Sequence, residues 1–532
     1  MSTTGEVIPM PVPSSFNDIT QNRFIRDYAG WVWYDRDFFV PSRWEHRSLT
    51  LRFGSAHYES IVYVNGVEVV RHIGGHLPFQ AYVTKHLKYG ANNRITVALN
   101  NILSDTTIPQ GGVRYKTDLT KYPKGFYETT TNFDFFNYAG IHRHVSLYAL
   151  PVDHIDDIAV TTDIKDTTTG VINYEISHSE KTSAAECVVE VMDKSGKKVA
   201  ETKGYSGSIT IPNAKLWWPY TTNPNPGYLY TLRVSLVASG KTSDVYYERV
   251  GIRTVKATDK QLLINGKAVY LTGFGKHEDA NIRGKGLDLP ILAKDFNLIK
   301  WIGANSFRTS HYPYSEELMD MADEAGIMVV DECPAVGLGG WSAPLLAQHK
   351  QTITEMIARD KNHASVVMWS VANEPGTDKV KSPPYWAEIH KHIKALDTSR
   401  PITAAIAGGY REDLVSAILD VLMINRYWGW YQDTGYPQAI EKQLVNDLSK
   451  WWDTHKKPIM VSEYGSDTVA GLHTDPPFVW SEDYQSEIFG QFFKAFDTLK
   501  AKGFFAGEHV WNFADFMTGE FITLCKFRHF QG

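Results

Sequence analysis

Three textures of apolar and polar positions follow one another along the chain. Up to about residue 150, short runs largely alternate the two: Ser48–Arg52, Ile61–Val64, Arg94–Leu99 and His144–Tyr148. Such alternation marks strands with one buried face. Turn residues such as Asn65-Gly66 and Gly90-Ala91-Asn92-Asn93 separate the runs. Residues 1–150 therefore read as a β-sandwich of jelly-roll type. Residues 151–255 continue as shorter strands, Asp157–Thr162, Gly170–Ser177, Glu186–Asp193 and Leu229–Ala238, at a spacing that fits an immunoglobulin-like β-sandwich. Residues 256–532 change to strand, helix, strand, helix. Eight apolar strands are predicted: Val269–Gly273, Asn305–Arg308, Met328–Asp331, Val366–Val371, Ile402–Ala405, Val421–Asn425, Ile459–Ser462 and Glu508–Asn512. Seven helical stretches lie between them, among them Leu292–Ile302, Ser315–Ala325, Gln348–Arg359 and Glu482–Lys500. Alternation of this kind argues a parallel sheet, and eight repeats argue a TIM barrel. The residues after Phe516 read as no clear helix, so the outer ring is expected to lack its last member.

In a TIM barrel, chemistry sits where the strands end. The ends here carry Lys276-His277-Glu278-Asp279, Arg308-Thr309-Ser310-His311, Asp331-Glu332, Asn373-Glu374-Pro375, Asn425-Arg426-Tyr427-Trp428 and Glu463-Tyr464-Gly465, with Trp511 and Asn512 on the eighth strand. No serine nucleophile elbow and no glycine-rich phosphate loop appears. Glu374 and Glu463 end strands four and seven and would face one another across the mouth. Two opposed carboxylates are what glycoside hydrolysis needs, one protonated and one anionic. A single glutamate at a strand end is more often a salt-bridge partner than a catalyst. This pair follows strands so apolar that their first polar residues must fall at the rim. Arg308 is either a surface charge or a bidentate partner of a carboxylate. His277 could ligate a metal, but no second histidine stands at helical spacing, so contact with a sugar hydroxyl is the better reading and no metal is expected. Trp511, Tyr427 and Tyr431 are either packing or a stacking surface for a ring that turns cationic in the transition state.

Composition narrows the class. The chain has 532 residues, 43% hydrophobic and 21% charged, with net charge −6, which gives no electrostatic reason to bind nucleic acid or an anionic membrane. Three widely spaced cysteines exclude a disulfide scaffold. No apolar run approaches membrane-spanning length, and the N-terminal residues have no secretory pattern. Aromatic residues reach 13%, including 15 Trp and 28 Tyr, and rings of this kind suit both cores and sugar faces.

The same residues carry a family likeness. Trp369-Ser370-Val371-Ala372-Asn373-Glu374-Pro375 resembles the acid/base motif of glycoside hydrolase family 2, and Ser462-Glu463-Tyr464-Gly465 is similar to its nucleophile motif. Lys276–Asp279, Arg283–Gly286, Phe307–Tyr314, Asp134–Gly140 and Trp511–Phe516 resemble the β-glucuronidases within that family, and Asp331–Leu338 is similar to the animal lysosomal form. The likeness runs from about Pro11 to Thr523. It implies a jelly roll, an immunoglobulin-like domain and a barrel, retaining hydrolysis of β-D-glucuronides such as glycosaminoglycan fragments, no cofactor, a homotetramer and a lysosomal location. Glu374 is then acid/base and Glu463 nucleophile. Asn373 binds the sugar 2-hydroxyl, Asp134 reaches in from the jelly roll, and His277, Asn425, Tyr427, Tyr431 and Trp511 line the pocket.

Three departures are visible. Trp428 stands where the family commonly has Tyr. The family's chain begins earlier than the counterpart of Pro11, and without a leader this chain would stay in the cytoplasm. The family also follows its last strand with an Arg and an Asn-x-Lys motif that grips the glucuronate carboxylate. Here Leu524 takes the place of that Arg, followed by Cys525-Lys526-Phe527-Arg528. A cationic bond to a carboxylate contributes about 1.5–3 kcal/mol. Its loss keeps open a β-galactosidase- or β-mannosidase-like hydrolase, or an inactive remnant.

Overall fold

The computed structural model describes residues 7–179, 186–238, 240–281 and 283–519. The first sandwich packs the four-stranded sheet Trp31–Val40, Ala91–Asn100, Glu59–Val64, Val67–Ile73 on the three-stranded sheet Val145–Leu150, Ser48–Phe53, Phe79–Tyr82. Its core is built from alternate positions, among them Leu49, Leu51, Phe53, Val62, Val64, Val97 and Leu99. Asn65-Gly66, both at positive φ, closes a tight hairpin as expected. The long strand Trp31–Val40 was not anticipated. Its run Tyr34-Asp35-Arg36-Asp37 puts charge where a strand pattern wants apolar side chains, and Asp35 answers Arg94 across the sheet. The second sandwich sets Ile155–Ile164, Gly170–His178 and Ser206–Ile211 against Lys198–Lys203, Glu186–Met192, Tyr230–Ala238 and Lys241–Val250.

The third unit is a closed eight-stranded barrel: β1 (Leu271–Gly275), β2 (Ser306–Arg308), β3 (Met328–Glu332), β4 (Val366–Asn373), β5 (Ile402–Ile406), β6 (Leu422–Asn425), β7 (Ile459–Glu463) and β8 (Phe505–Val510), with β1 pairing β8. The first strand starts two residues later than expected. Lys267–Val269 instead folds back through Asn265-Gly266 onto Leu262–Ile264, forming part of a small sheet under the barrel. The eighth starts earlier and ends at Val510, leaving Trp511 and Asn512 just beyond it.

The helices are α1 (Leu289–Trp301), α2 (Glu316–Ala325), α3 (Ala343–Asp360), α4 (Ser382–Leu396), α5 (Ile440–His455) and α6 (Glu482–Lys502). Ser315, Ser342 and Ser481 cap α2, α3 and α6 by accepting the backbone N–H three residues on, and Gly326 and Gly503 end α2 and α6 in the left-handed conformation. The connection between β5 and β6 corrects the expected seven helices. It is only a 3₁₀ turn, Ser416–Ile418, held at its start by Asp413, which accepts the Ser416 N–H at 3.0 Å and its Oγ at 2.8 Å. An eighth helix would fall after residue 519, outside the described residues.

Strand alternation sorts the barrel's side chains. Met328, Val330, Met368, Met423 and Met460 fill the interior, while Val329, Trp369, Ile424 and Val461 pack outward against the helices. Two steps above the interior layer, the same parity gives Glu332, Ser370, Asn425 and Ser462. The floor is apolar and the layer above it polar, so the polar groups meet at the C-terminal mouth.

Candidate active site

Glu374 follows directly on β4, where its φ of 48° takes the backbone into the left-handed region. A non-glycine residue held there is strained, and such strain clusters at functional sites. Its N–H donates to Ala405 O at 2.7 Å, which fixes the turn. The side chain keeps an accessible surface at the mouth although protein surrounds it closely. Asn425 Nδ2 donates to Glu374 Oε1 at 3.2 Å. Burial raises the Glu374 carboxyl above its ordinary value, and the neighbouring charge of Glu463 raises it further.

Glu463 reaches the interior through a bulge. Ile424 pairs with Val461 but Asn425 with Glu463, so Ser462 and Glu463 together oppose one residue of β6. Both then join the site: Ser462 Oγ donates to Asn425 Oδ1 at 2.7 Å, and Glu463 receives Tyr427 Oη at 2.7 Å and Arg308 Nη2. A similar register shift between Ser370 and Asn373 turns Asn373 inward, where Asn425 Nδ2 lies 3.3 Å from its Oδ1.

Arg308 has no solvent exposure. It was expected to grip one carboxylate with two nitrogens. Instead it bridges two carboxylates, with Nη2 on Glu463 and Nη1 3.5 Å from Glu332, while Nε donates to Ser310 Oγ at 3.0 Å. Glu332 is equally enclosed and also binds His311 Nδ1 at 2.9 Å and Ser370 Oγ at 2.7 Å. Burial alone would raise its carboxyl. Arg308, His311 and Ser370 outweigh that and hold it below the ordinary range, hence anionic. Asp331, its chain neighbour, points the other way, to Thr309 and the Asp360 of α3.

The aromatic wall is Trp511, stacked on His311 with ring centroids 4.9 Å apart, together with Tyr427 and the half-exposed Tyr431, edge to face at 5.0 Å. Trp428 packs against the hydrophobic core beside them. Asp134 comes from a jelly-roll loop between the stacked Phe133 and Phe135, close enough for its charge to act on Glu374. The loop is clasped to the chain after β8 by Phe136 N–H on Met517 O at 2.8 Å. His277, expected against the sugar, stands beside the aromatic wall with its ring centroid 5.5 Å from that of Trp511. Its ring stacks on Phe516 at 4.0 Å, Nδ1 lies 3.0 Å from Tyr312 Oη, and Nε2 is buried without a partner among the described residues. Burial, with His311 and Lys285 near, keeps it neutral.

Sequence reasoning missed His311 and Glu332 as members of the site. Both stood at strand ends already singled out, and the parity of β3 was the signal that Glu332, not Asp331, faces inward. Among the described residues, the metal-capable group is Asp320, Asp323 and His363, below the barrel. No helix among them is long and apolar enough to cross a membrane. The segment Leu524–Arg528, which stands where the family carries its carboxylate clamp, lies outside the described residues.

Comparison with known proteins agrees with this architecture. The sugar binding domain of glycosyl hydrolases family 2 matches residues 9–151, the description "Glycosyl hydrolases family 2" matches 153–253, and that family's TIM barrel domain matches 255–524. The β-glucuronidase of Canis lupus familiaris is 48% identical over 528 residues, 97% of this chain and 81% of that one. The structure of β-D-glucuronidase from Dictyoglomus thermophilum superposes with a TM-score of 0.93 at 44% identity, covering 98% of this chain and 90% of that chain. A β-glucuronidase from Ruminococcus gnavus in complex with D-glucuronic acid gives 0.90 at 37% identity, over 96% and 87%. The chain belongs to glycoside hydrolase family 2, as a relative of its β-glucuronidases.

Proposed function

We propose that this protein hydrolyses β-D-glucuronides by a retaining double displacement, with Glu374 as acid/base and Glu463 as nucleophile. The asymmetry of the two carboxylates carries the reading. Glu463 is gripped by a fully buried guanidinium and a phenol, which both donate to its oxygens. Burial and the neighbouring charge of Glu463 raise the Glu374 carboxyl above its ordinary value, in the direction a proton donor needs. In the first step a Glu463 oxygen bonds to the anomeric carbon as the glycosidic C–O bond breaks, and Glu374 gives its proton to the leaving oxygen. In the second step Glu374 takes a proton from water, the water oxygen bonds to the anomeric carbon, and the Glu463 ester breaks. Asn373 and Asn425 hold sugar hydroxyls, Asp134 reaches the rim from the jelly roll, and Trp511, Tyr427 and Tyr431 cover the ring as it becomes cationic. Arg308 positions Glu463, and His277, whose buried Nε2 has no partner among the described residues, meets a sugar hydroxyl.

The uronic-acid specificity rests on kinship with the β-glucuronidases. Turnover of an aryl β-D-glucuronide, with the matching β-galactoside as control, tests it. Glu374→Gln should lower kcat about 10²- to 10⁴-fold, and Glu463→Gln should abolish turnover. Equal turnover of the galactoside would remove the uronate assignment, and active Glu463→Gln would remove the mechanism. The same kinship supports a lysosomal site of action and a homotetramer, which light scattering on the purified protein checks.

A further inference from the structure

A cavity of about 930 Å³ lies away from the barrel mouth, between the immunoglobulin-like sandwich and the barrel's N-terminal floor. Arg253 stands in its wall, 5% exposed. Its Nε donates to Ala364 O at 2.5 Å, and Nη2 donates to Val366 O at 2.7 Å and His363 O at 3.4 Å. Among the described residues the hydrogen bonds of the guanidinium all go to neutral carbonyls. The carboxylates that act on it from a distance, Asp323 and Asp397, are committed elsewhere. Asp323 holds His363 and the Ser365 N–H, and Asp397 holds Arg400 and the Trp369 indole. Burial, with Arg400 alongside, pulls the Arg253 guanidinium down to about 9. A buried cation without a counter-charge is unfavourable.

The rest of the wall adds to the positive side. Lys256 and Lys267, both exposed, come from the small sheet under the barrel, and Lys267 lies 5.0 Å over the Trp218 ring. Lys361 and Arg400 also line the cavity but are paired with Asp157 and Asp397. Of the acidic wall residues, Asp166 is occupied by the N–H groups of Thr168 and Thr169, and Asp163 by that of Ile164.

We propose that this cavity binds an oxyanion at a site separate from the catalytic mouth, held by Arg253, Lys256 and Lys267 of its wall. The ligand is a single tetrahedral or planar oxygen anion, either free in solution or carried as a sulfate on a saccharide. Calorimetric titration of the full chain with inorganic phosphate, and separately with galactose 6-sulfate, tests this against chloride of equal ionic strength. Saturable binding is expected for at least one probe. Phosphate binding as tightly as galactose 6-sulfate identifies a free anion, whereas preference for the sugar identifies a saccharide. Arg253→Gln should weaken binding about tenfold or more, the loss of one charge-assisted bond. The double variant Lys256→Gln/Lys267→Gln touches no buried carbonyl, so it should fold. It should weaken binding several-fold while leaving aryl glucuronide turnover unchanged, and Lys450→Gln on α5 should change neither. Absence of saturable binding by both probes, or wild-type affinity in the lysine double variant, would overturn the proposal.

Discussion

Replacing Arg308 by Met tests the site and the fold together. The side chain is fully buried between two carboxylates, Glu463 on one side and Glu332 on the other. Methionine fills similar volume without charge. Among the described residues, Glu463 would keep only Tyr427, and Glu332 only His311 and Ser370. Removing one partner of a buried ion pair costs about 3–5 kcal/mol. By contrast Arg249→Met, which breaks the outlying pairs to Asp320 and Glu324, should cost under about 1 kcal/mol. The pH dependence discriminates further. In the native protein the folded Glu332 carboxyl lies below its ordinary 4.5, so its stabilisation is present above that value and fades as pH falls through the lowered one. Without Arg308, burial dominates and the folded value rises above the ordinary one, so acidification should stabilise the variant. The stability gap should therefore be widest near about pH 7 and narrow towards about pH 4.5. Unfolding followed by tryptophan fluorescence at both pH values measures it. Turnover of an aryl glucuronide should fall roughly 10- to 150-fold, the equivalent of one charged hydrogen bond of about 1.5–3 kcal/mol. A gap that is independent of pH, or no larger than that of Arg249→Met, would refute the charge argument. Unchanged kcat/KM would refute the positioning role.

Three further outcomes follow from the same geometry. Tyr427→Phe removes the 2.7 Å bond to Glu463 and should lower kcat/KM about 10- to 100-fold, with unaltered kcat counting against it. In Glu463→Gln the Glu374 carboxyl should titrate lower than in the wild type yet still above the ordinary 4.5, because burial remains when the neighbouring charge is gone; carboxyl-labelled NMR reads the shift, and an unmoved value contradicts the coupling. Gly275→Ala places a Cβ 2.5 Å from Trp511 Cε3, so Trp511 must move off His311; KM should rise more than kcat falls, at about 1–3 kcal/mol of stability, and unchanged KM would show that Trp511 does not shape the pocket.

Much of this was legible in the chain. Period-two runs announced the sandwiches, and eight apolar strands separated by amphipathic stretches announced the barrel, because alternation and helical spacing are local properties. The glutamates at the ends of β4 and β7 could be picked out because each is the first charged residue after a buried run. Which way a strand-end residue faces was not local. Strict alternation sends Glu463 outward with Val461, and only the bulge beside Asn425 turns it to the interior. The left-handed backbone at Glu374 likewise depends on Ala405 in the next strand. His277 and His311 both stand after barrel strands and look equivalent in sequence. Packing decided that His311 binds Glu332 while His277 meets Tyr312 and stacks on Phe516. Arg308 could be foreseen as a carboxylate partner, but its bridging of Glu332 and Glu463 required the closed barrel, which alone brings β2, β3 and β7 around one axis. The sequence determined which residues are polar at the rim; closure of the barrel and two register shifts decided which of them meet.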